Sequence, residues 1–190
     1  MSCAFESRRG HLTSQILANY AEACEEAIKV ADSINFDIPR PDYIIFAGVG
    51  GSGIAGSLVK DVADLDIPIE VVNGYHLPRY ANSNSLVICV SYSGNTEETL
   101  TQFVEAVKRK CFVISITSGG KLLEWSNKFN IPVIRMPSGY QPRETIPYLF
   151  FGLIACLEKI GCDFSEDKKE FLSLVSRIDL SKIDKIADDI

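Results

Sequence analysis

The chain has 190 residues, 46% apolar and 23% charged. That is an ordinary globular balance, with length for one full domain and about forty residues to spare. A net charge of −6 excludes a broad nucleic-acid surface, because neutralising phosphates needs clustered Lys and Arg.

Six cysteines raise the question of disulfides or metal. Cys89 and Cys111 sit in β-like runs and Cys156 in an apolar helix, with no CxxC pair and no Cys/His cluster at metal spacing. They read as small buried hydrophobes, which places the chain in a reducing cytosol. The start, MSCAFESRRGHL, does not read as a secretory signal. The longest apolar stretch, Ile146 to Leu157, is too short for a membrane span.

In chain order, residues 12–33 carry helical spacing, with Ile16, Leu17, Tyr20, Cys24, Ile28 and Ala31 on one face. DIPRPDY then breaks the helix. YIIFAGV is a continuous β-branched and aromatic run, suited to a strand buried on both faces. The helix SGIAGSLVKDVAD follows, then the strand-like runs IEVV, LVICVS, CFVISIT and PVIRM. Between the last three lie two helical patterns, NTEETLTQFVEAVKRK and KLLEWSNKF. This alternation predicts an α/β fold with a parallel sheet covered by helices. Lys108-Arg109-Lys110 falls at a helix end, where cations favour the macrodipole. A last apolar helix spans about 145–160, and Ser165, with Glu166 and Asp167, starts another.

Ligands of such sheets sit at the carboxyl ends of the strands. The loops there read GVGGSG (48–53), NGYHLPRY (73–80), SYSGNTEE (91–98), TSGGK (117–121) and PSGYQPRET (137–145). Four of the five pair glycine with serine or threonine.

Gly48-x-Gly50-x-x-Gly53 matches the spacing of a dinucleotide fingerprint. That reading requires a carboxylate at the end of the second strand, about 20 residues on. Glu70 stands at the beginning of IEVVNG, and the end carries Asn73 and Gly74. No lysine follows the glycines as in a P-loop, so they serve a different phosphate site. In SYSGNTEET a strand ends at Ser91, Gly94 permits a sharp turn, and Asn95 or Thr96 begins a helix whose first amides lack internal partners. Ser91, Ser93 and Thr96 then place three hydroxyls beside those amides, a fit for a phosphomonoester. The same residues also make an ordinary turn and N-cap. Ser52, at a second helix start on an adjacent strand, favours the ligand.

GVGGSG followed by SYSGNTEET resembles the sugar isomerase (SIS) domain. With PSGYQPRET added, residues 40–160 look more closely like the amino-terminal half of the bifunctional phosphoglucose/phosphomannose isomerases. The resemblance implies a three-layer αβα sandwich with a five-stranded parallel sheet, flavodoxin-like in type. It divides the chain into an N-terminal helical segment (1–40), the SIS domain (41–160) and a helical linker (161–190) toward a second subdomain. It implies substrate contacts from Gly50, Gly51 and Ser52, and a 6-phosphate held by Ser91, Ser93 and Thr96. Arg143 would stabilise an enediolate, a sensible task for a permanently charged guanidinium. By residues alone, Arg143 also reads as a surface arginine before a helix.

The implied reaction moves a proton between C1 and C2 of a sugar 6-phosphate and needs no metal or organic cofactor. The implied partners are the sugar phosphate and a second copy of the chain, with neither nucleic acid nor membrane. The family's base, ring-opening histidine and C-terminal lysine belong to the second subdomain, which this sequence is not expected to contain. His11 and His76 lie in no matching motif. Glu144 follows the Pro-Arg pair where the family favours a small residue; it reads as a helix-start acid, with replacement base as the alternative. A non-catalytic phosphosugar-binding module remains the other reading. A regulator with a helix-turn-helix does not fit before residue 40.

Overall fold

The computed structural model of the chain describes residues 20–33, 37–140 and 144–177. Ile16, Leu17 and His11 lie outside them, as do Arg143 and the segment 178–190. Within them run helix α1 (Tyr20–Asp32), strand β1 (Tyr43–Ala47), α2 (Gly51–Val62), β2 (Ile69–Val72), β3 (Ser85–Val90), α3 (Glu97–Lys108), β4 (Phe112–Thr117), α4 (Gly120–Lys128), β5 (Val133–Arg135), α5 (Ile146–Glu158) and α6 (Ser165–Ser176).

The strands form one parallel sheet in the order β2-β1-β3-β4-β5. The continuous apolar runs behave as their composition predicts, because period-2 side chains feed two different cores. Ile44, Phe46, Leu86, Ile88, Val90, Ile114 and Ile116 face the layer of α1, α2 and α5. Ile45, Ala47, Val87, Cys89 and Val113 face α3 and α4. The result is the expected three-layer α/β sandwich. It also explains the cysteines: Cys24, Cys89, Cys111 and Cys156 are buried free thiols, filling core space.

Helix α5 is apolar nearly all round, and the structure shows why. It is enclosed by the sheet, α1 and α2, with Leu149, Phe151, Leu153, Ile154 and Leu157 all buried. Each such side chain contributes about 1.5–3 kcal/mol relative to exposure. Cys24, Ala27 and Ala31 of α1 and Ile38 belong to that same core, so the described part of the N-terminal helix packs with the sheet domain.

α6 leans on this layer through Phe171, set edge-on to Phe151 with ring centres 5.5 Å apart. Lys168 ties it down by reaching Asp32 and Glu158, each at 2.9 Å. Burial opposes the Lys168 charge, but the two carboxylates outweigh it and hold its pKa above the ordinary lysine value. Ser165 is the first residue of α6 rather than its cap; Phe164 holds the cap position, and the Asp163 carboxylate accepts the Ser165 N–H at 2.9 Å.

Arg109 is not a free basic patch. Its guanidinium donates to the carbonyls of Pro78 (2.5 Å) and Ala81 (3.4 Å) and pairs with Glu105 at 2.6 Å, fastening the β2–β3 connection to α3. No helix among the described residues is long and apolar enough to cross a membrane. On α2, Ile54, Leu58 and Val62 are 57%, 44% and 56% exposed. Their spacing of four residues aligns them in one outward stripe.

Candidate functional site

The strand order reverses direction between β1 and β3. β1 leads through α2 to β2 on one side, and β3 leads through α3 to β4 on the other. This is the switch point at which open α/β sheets form a crevice for ligands. The turns that open onto it are Gly48–Ser52 and Ser91–Thr96, on hydrogen-bonded neighbouring strands. They also touch: a Cβ on Gly48 would lie 3.1 Å from the Val90 carbonyl oxygen, directly before Ser91.

The glycines of the first turn each have a local cause. Gly50 holds the cap position of α2 at φ +60°, a conformation glycine adopts without strain. Gly53 lets the rim of β2 close over the helix, since a Cβ there would meet Asn73 Oδ1 at 2.2 Å. Ser52 is half-buried in the first turn of α2, which contains no acidic residue. These demands account for the GxGxxG spacing without a dinucleotide. Glu70 lies within β2 rather than beyond its carboxyl end, and its carboxylate accepts a short hydrogen bond from the Tyr80 hydroxyl.

The second turn brings Ser91 and Thr96 together and leaves Ser93 apart from them. Ser91 is 1% exposed; its Oγ accepts the Gly94 N–H at 3.1 Å and lies 2.9 Å from Thr96 Oγ1. Ser93 is exposed, with its Oγ 3.3 Å from the Asn95 amide. Thr96, not Asn95, takes the cap position of α3, yet its side chain makes no capping bond and turns to Ser91 instead. The first-turn amides of α3 are therefore left for another acceptor. Glu97 and Glu98 in that turn favour the helix dipole but oppose a bound dianion.

TSGGK plays a part that sequence reasoning missed. Its hydroxyls turn to the protein's own backbone. The Ser118 N–H and Oγ donate to the Tyr92 carbonyl at 3.0 and 2.7 Å, and the Leu122 N–H donates to the Gly94 carbonyl at 2.9 Å. The Lys121 N–H reaches Asn95 Oδ1 at 3.1 Å. Gly94, at φ +69°, lies so close that a Cβ would sit 1.8 Å from the Gly119 oxygen. The β4–α4 turn is a buttress for the β3–α3 turn. Pairing of Gly94 with Gly119 and Gly120 was the available signal.

His76 stands on the flank of α3, its side chain 83% exposed and 3.8 Å from Glu105. Burial works against ionisation of Glu105, but the Leu77 N–H and then Arg109 outweigh it and hold the carboxyl below its usual range. Glu144 is half-buried ahead of α5. Among the described residues no group of three or more His, Cys, Asp or Glu side chains could hold a metal ion.

No protein-family model matches the chain. Individual proteins do. A bifunctional phosphoglucose/phosphomannose isomerase of Caldicellulosiruptor bescii is 40% identical over 148 residues, 75% of this chain and 43% of that protein. Over the matched length the chain is a homologue of proteins that bear this name. It spans about half the length of the curated relatives it matches. A D-glucosamine-6-phosphate 4-epimerase of Sulfolobus acidocaldarius is 38% identical over 135 residues, 67% of this chain and 42% of that protein. The tagatose-6-phosphate ketose/aldose isomerase of Escherichia coli has the same fold, with a TM-score of 0.59 at 18% identity, covering 85% of this chain and 52% of that one.

For an SIS chain, the buttress makes a direct prediction. Gly94→Ala forces a side chain into the Gly119 carbonyl at a positive φ, and is expected to cost at least ~2 kcal/mol. Urea unfolding checks this; a variant as stable as the parent shows that the two turns are not interlocked.

Proposed function

We propose that this chain binds a sugar 6-phosphate in the β1/β3 crevice. We infer that it is the amino-terminal, phosphosugar-binding half of an aldose–ketose isomerase acting on glucose 6-phosphate or mannose 6-phosphate with fructose 6-phosphate. The supporting observation is the pairing of the Ser91 and Thr96 hydroxyls at the start of α3, with Ser93 exposed in the same turn, beside the Gly50–Ser52 start of α2, in a chain whose relatives bear that isomerase name. Two helix starts aimed at one crevice supply positive potential and amide donors, and the hydroxyls add orientation. In this reading Ser91, Ser93 and Thr96 hold the phosphate, while Gly50, Gly51 and Ser52 admit the substrate backbone and contact it. Arg143 stabilises the enediolate oxygen as charge develops there. The proton moves within the substrate carbon chain, so the protein must supply a base, an acid and charge stabilisation, and no redox group.

A second reading, a phosphosugar-binding module without turnover, is favoured by the position of His76 on the α3 flank. We further infer a homodimer that covers the Ile54–Leu58–Val62 stripe, since aligned exposed apolar side chains mark contact surfaces.

Calorimetry is expected to show fructose 6-phosphate binding and no NAD binding. Ser93→Ala and Thr96→Ala should each weaken the sugar phosphate by on the order of 1.5–3 kcal/mol, as for a lost hydrogen bond to a charged acceptor. NAD binding without sugar-phosphate binding would sink the reading; unchanged affinity in both variants would move the phosphate site elsewhere.

The 190-residue chain is expected to catalyse little deuterium exchange at C2 of glucose 6-phosphate in heavy water. General base action alone typically contributes about 10²–10⁴-fold, and neither His76 nor Glu144 is assigned that task. Rapid exchange abolished by Glu144→Gln would show that the chain carries its own base.

Light scattering over a concentration series is expected to report a dimer that Leu58→Glu converts to monomer. A parent chain that stays monomeric throughout rules the dimer out.

A further inference from the structure

Tyr92 stands between the two serines of the β3–α3 turn, and its side chain leaves that turn altogether. Its hydroxyl donates to the Pro137 carbonyl at 3.1 Å and accepts the Tyr140 N–H at 2.9 Å. One phenol thus satisfies both ends of Pro137–Tyr140, the described part of the β5–α5 connection. The chain of contacts continues. The Tyr140 and Tyr148 hydroxyl oxygens are 3.2 Å apart, their rings 5.3 Å apart at 40°, and the Tyr148 hydroxyl donates to Glu26 Oε2 at 2.5 Å. A phenol has one proton. With that of Tyr148 committed to Glu26, the Tyr140 hydroxyl is the donor between the two tyrosines.

Tyr148 is 3% exposed. Burial, then the bond donated to Glu26, raise its pKa well above the ordinary tyrosine value, so it remains a protonated donor throughout the working range. The network therefore crosses three tertiary contacts: α1 to α5, α5 to the β5–α5 connection, and that connection to the β3–α3 turn. Nothing in the core requires these hydroxyls, since phenylalanine would fill the same space. A hydroxyl placed at each junction fixes distance and direction between loops, which apolar packing does not do as sharply.

We infer that Tyr92, through Tyr140, Tyr148 and Glu26, is a positioning residue that sets Pro137–Tyr140 at a fixed distance from the phosphate-binding turn. It thereby selects substrates by the span between their phosphate and their sugar end. This rests on the phosphosugar reading above. The phosphate is gripped by Ser91–Thr96 and its amides, whereas the sugar end meets the connection that Tyr92 holds. Tyr92 itself touches neither.

The test is calorimetry on the 190-residue chain with inorganic phosphate and with fructose 6-phosphate as separate probes. The proteins are the parent, Tyr92→Phe, Tyr148→Phe and the double variant. Each single variant is expected to weaken fructose 6-phosphate roughly three- to tenfold, the worth of a net hydrogen bond, and to leave inorganic phosphate at the parent affinity. The double variant is expected to be no weaker than the weaker single, because both act through one network. The inference is overturned if fructose 6-phosphate binds both single variants as it binds the parent. It is equally overturned if phosphate and sugar phosphate weaken together, or if the two effects multiply. A parent chain that binds neither probe overturns the phosphosugar reading and this inference with it. Tyr92 and Tyr148 lie on different elements, so a fold defect in one variant leaves the other to decide.

Discussion

β1 and β3 lie side by side, yet their following helices go to opposite faces of the sheet. This constraint organises everything at the carboxyl edge. Two adjacent strands that send their helices apart cannot close the space between their turns, so a crevice remains. The starts of both helices point into it. α2 brings a glycine turn without acidic residues, and α3 brings hydroxyls whose cap position is not self-satisfied. Had α3 followed α2 on the same face, Ser91 and Ser52 would not share one opening.

A crevice is useful only if its walls hold still. Rigidity comes from backbone against backbone. The β4–α4 turn and the start of α4 deliver four donors to the β3–α3 turn and accept Gly94 at a distance that no side chain permits. Two such turns, each irregular and unable to satisfy itself, become ordered together because their unpaired groups complete one another. On the other side Tyr92 carries the linkage to the β5–α5 connection. The β3–α3 turn is thus held by its neighbours on the sheet, while the Thr96 side chain leaves the first-turn amides of α3 uncapped.

The anion site this implies is built from neutral donors and dipoles. Such a site favours a dianion without pairing it to a fixed cation, and Glu97 and Glu98 moderate it further. A moderate grip suits a substrate that must leave. The relatives carry isomerase and epimerase names over the same matched length. Reuse of one binding half with different chemistry is physically reasonable: phosphate recognition is separable from the groups that move protons.

Much of this was legible in the residues. Continuous β-branched runs specified strands buried on both faces, and the alternation with helical periods specified a parallel α/β sheet. SYSGNT announced a strand end, a sharp turn and a helix start, and the structure pairs the Ser91 and Thr96 hydroxyls there while Ser93 stays exposed. The misplaced Glu70 already argued against a dinucleotide. Local chemistry sufficed for these, because propensity, turn geometry and capping act within a few residues. What only the tertiary structure decided was which loops meet. That TSGG buttresses SYSG, that Arg109 fastens the β2–β3 connection, and that Tyr92 reaches Tyr140 all depend on strand order. Those partners stand some thirty to fifty positions apart, and no periodicity or local propensity encodes a contact at that range. Such contacts are set by the packing of the sheet, which brings distant turns to one edge and leaves their hydrogen bonds to be completed across it.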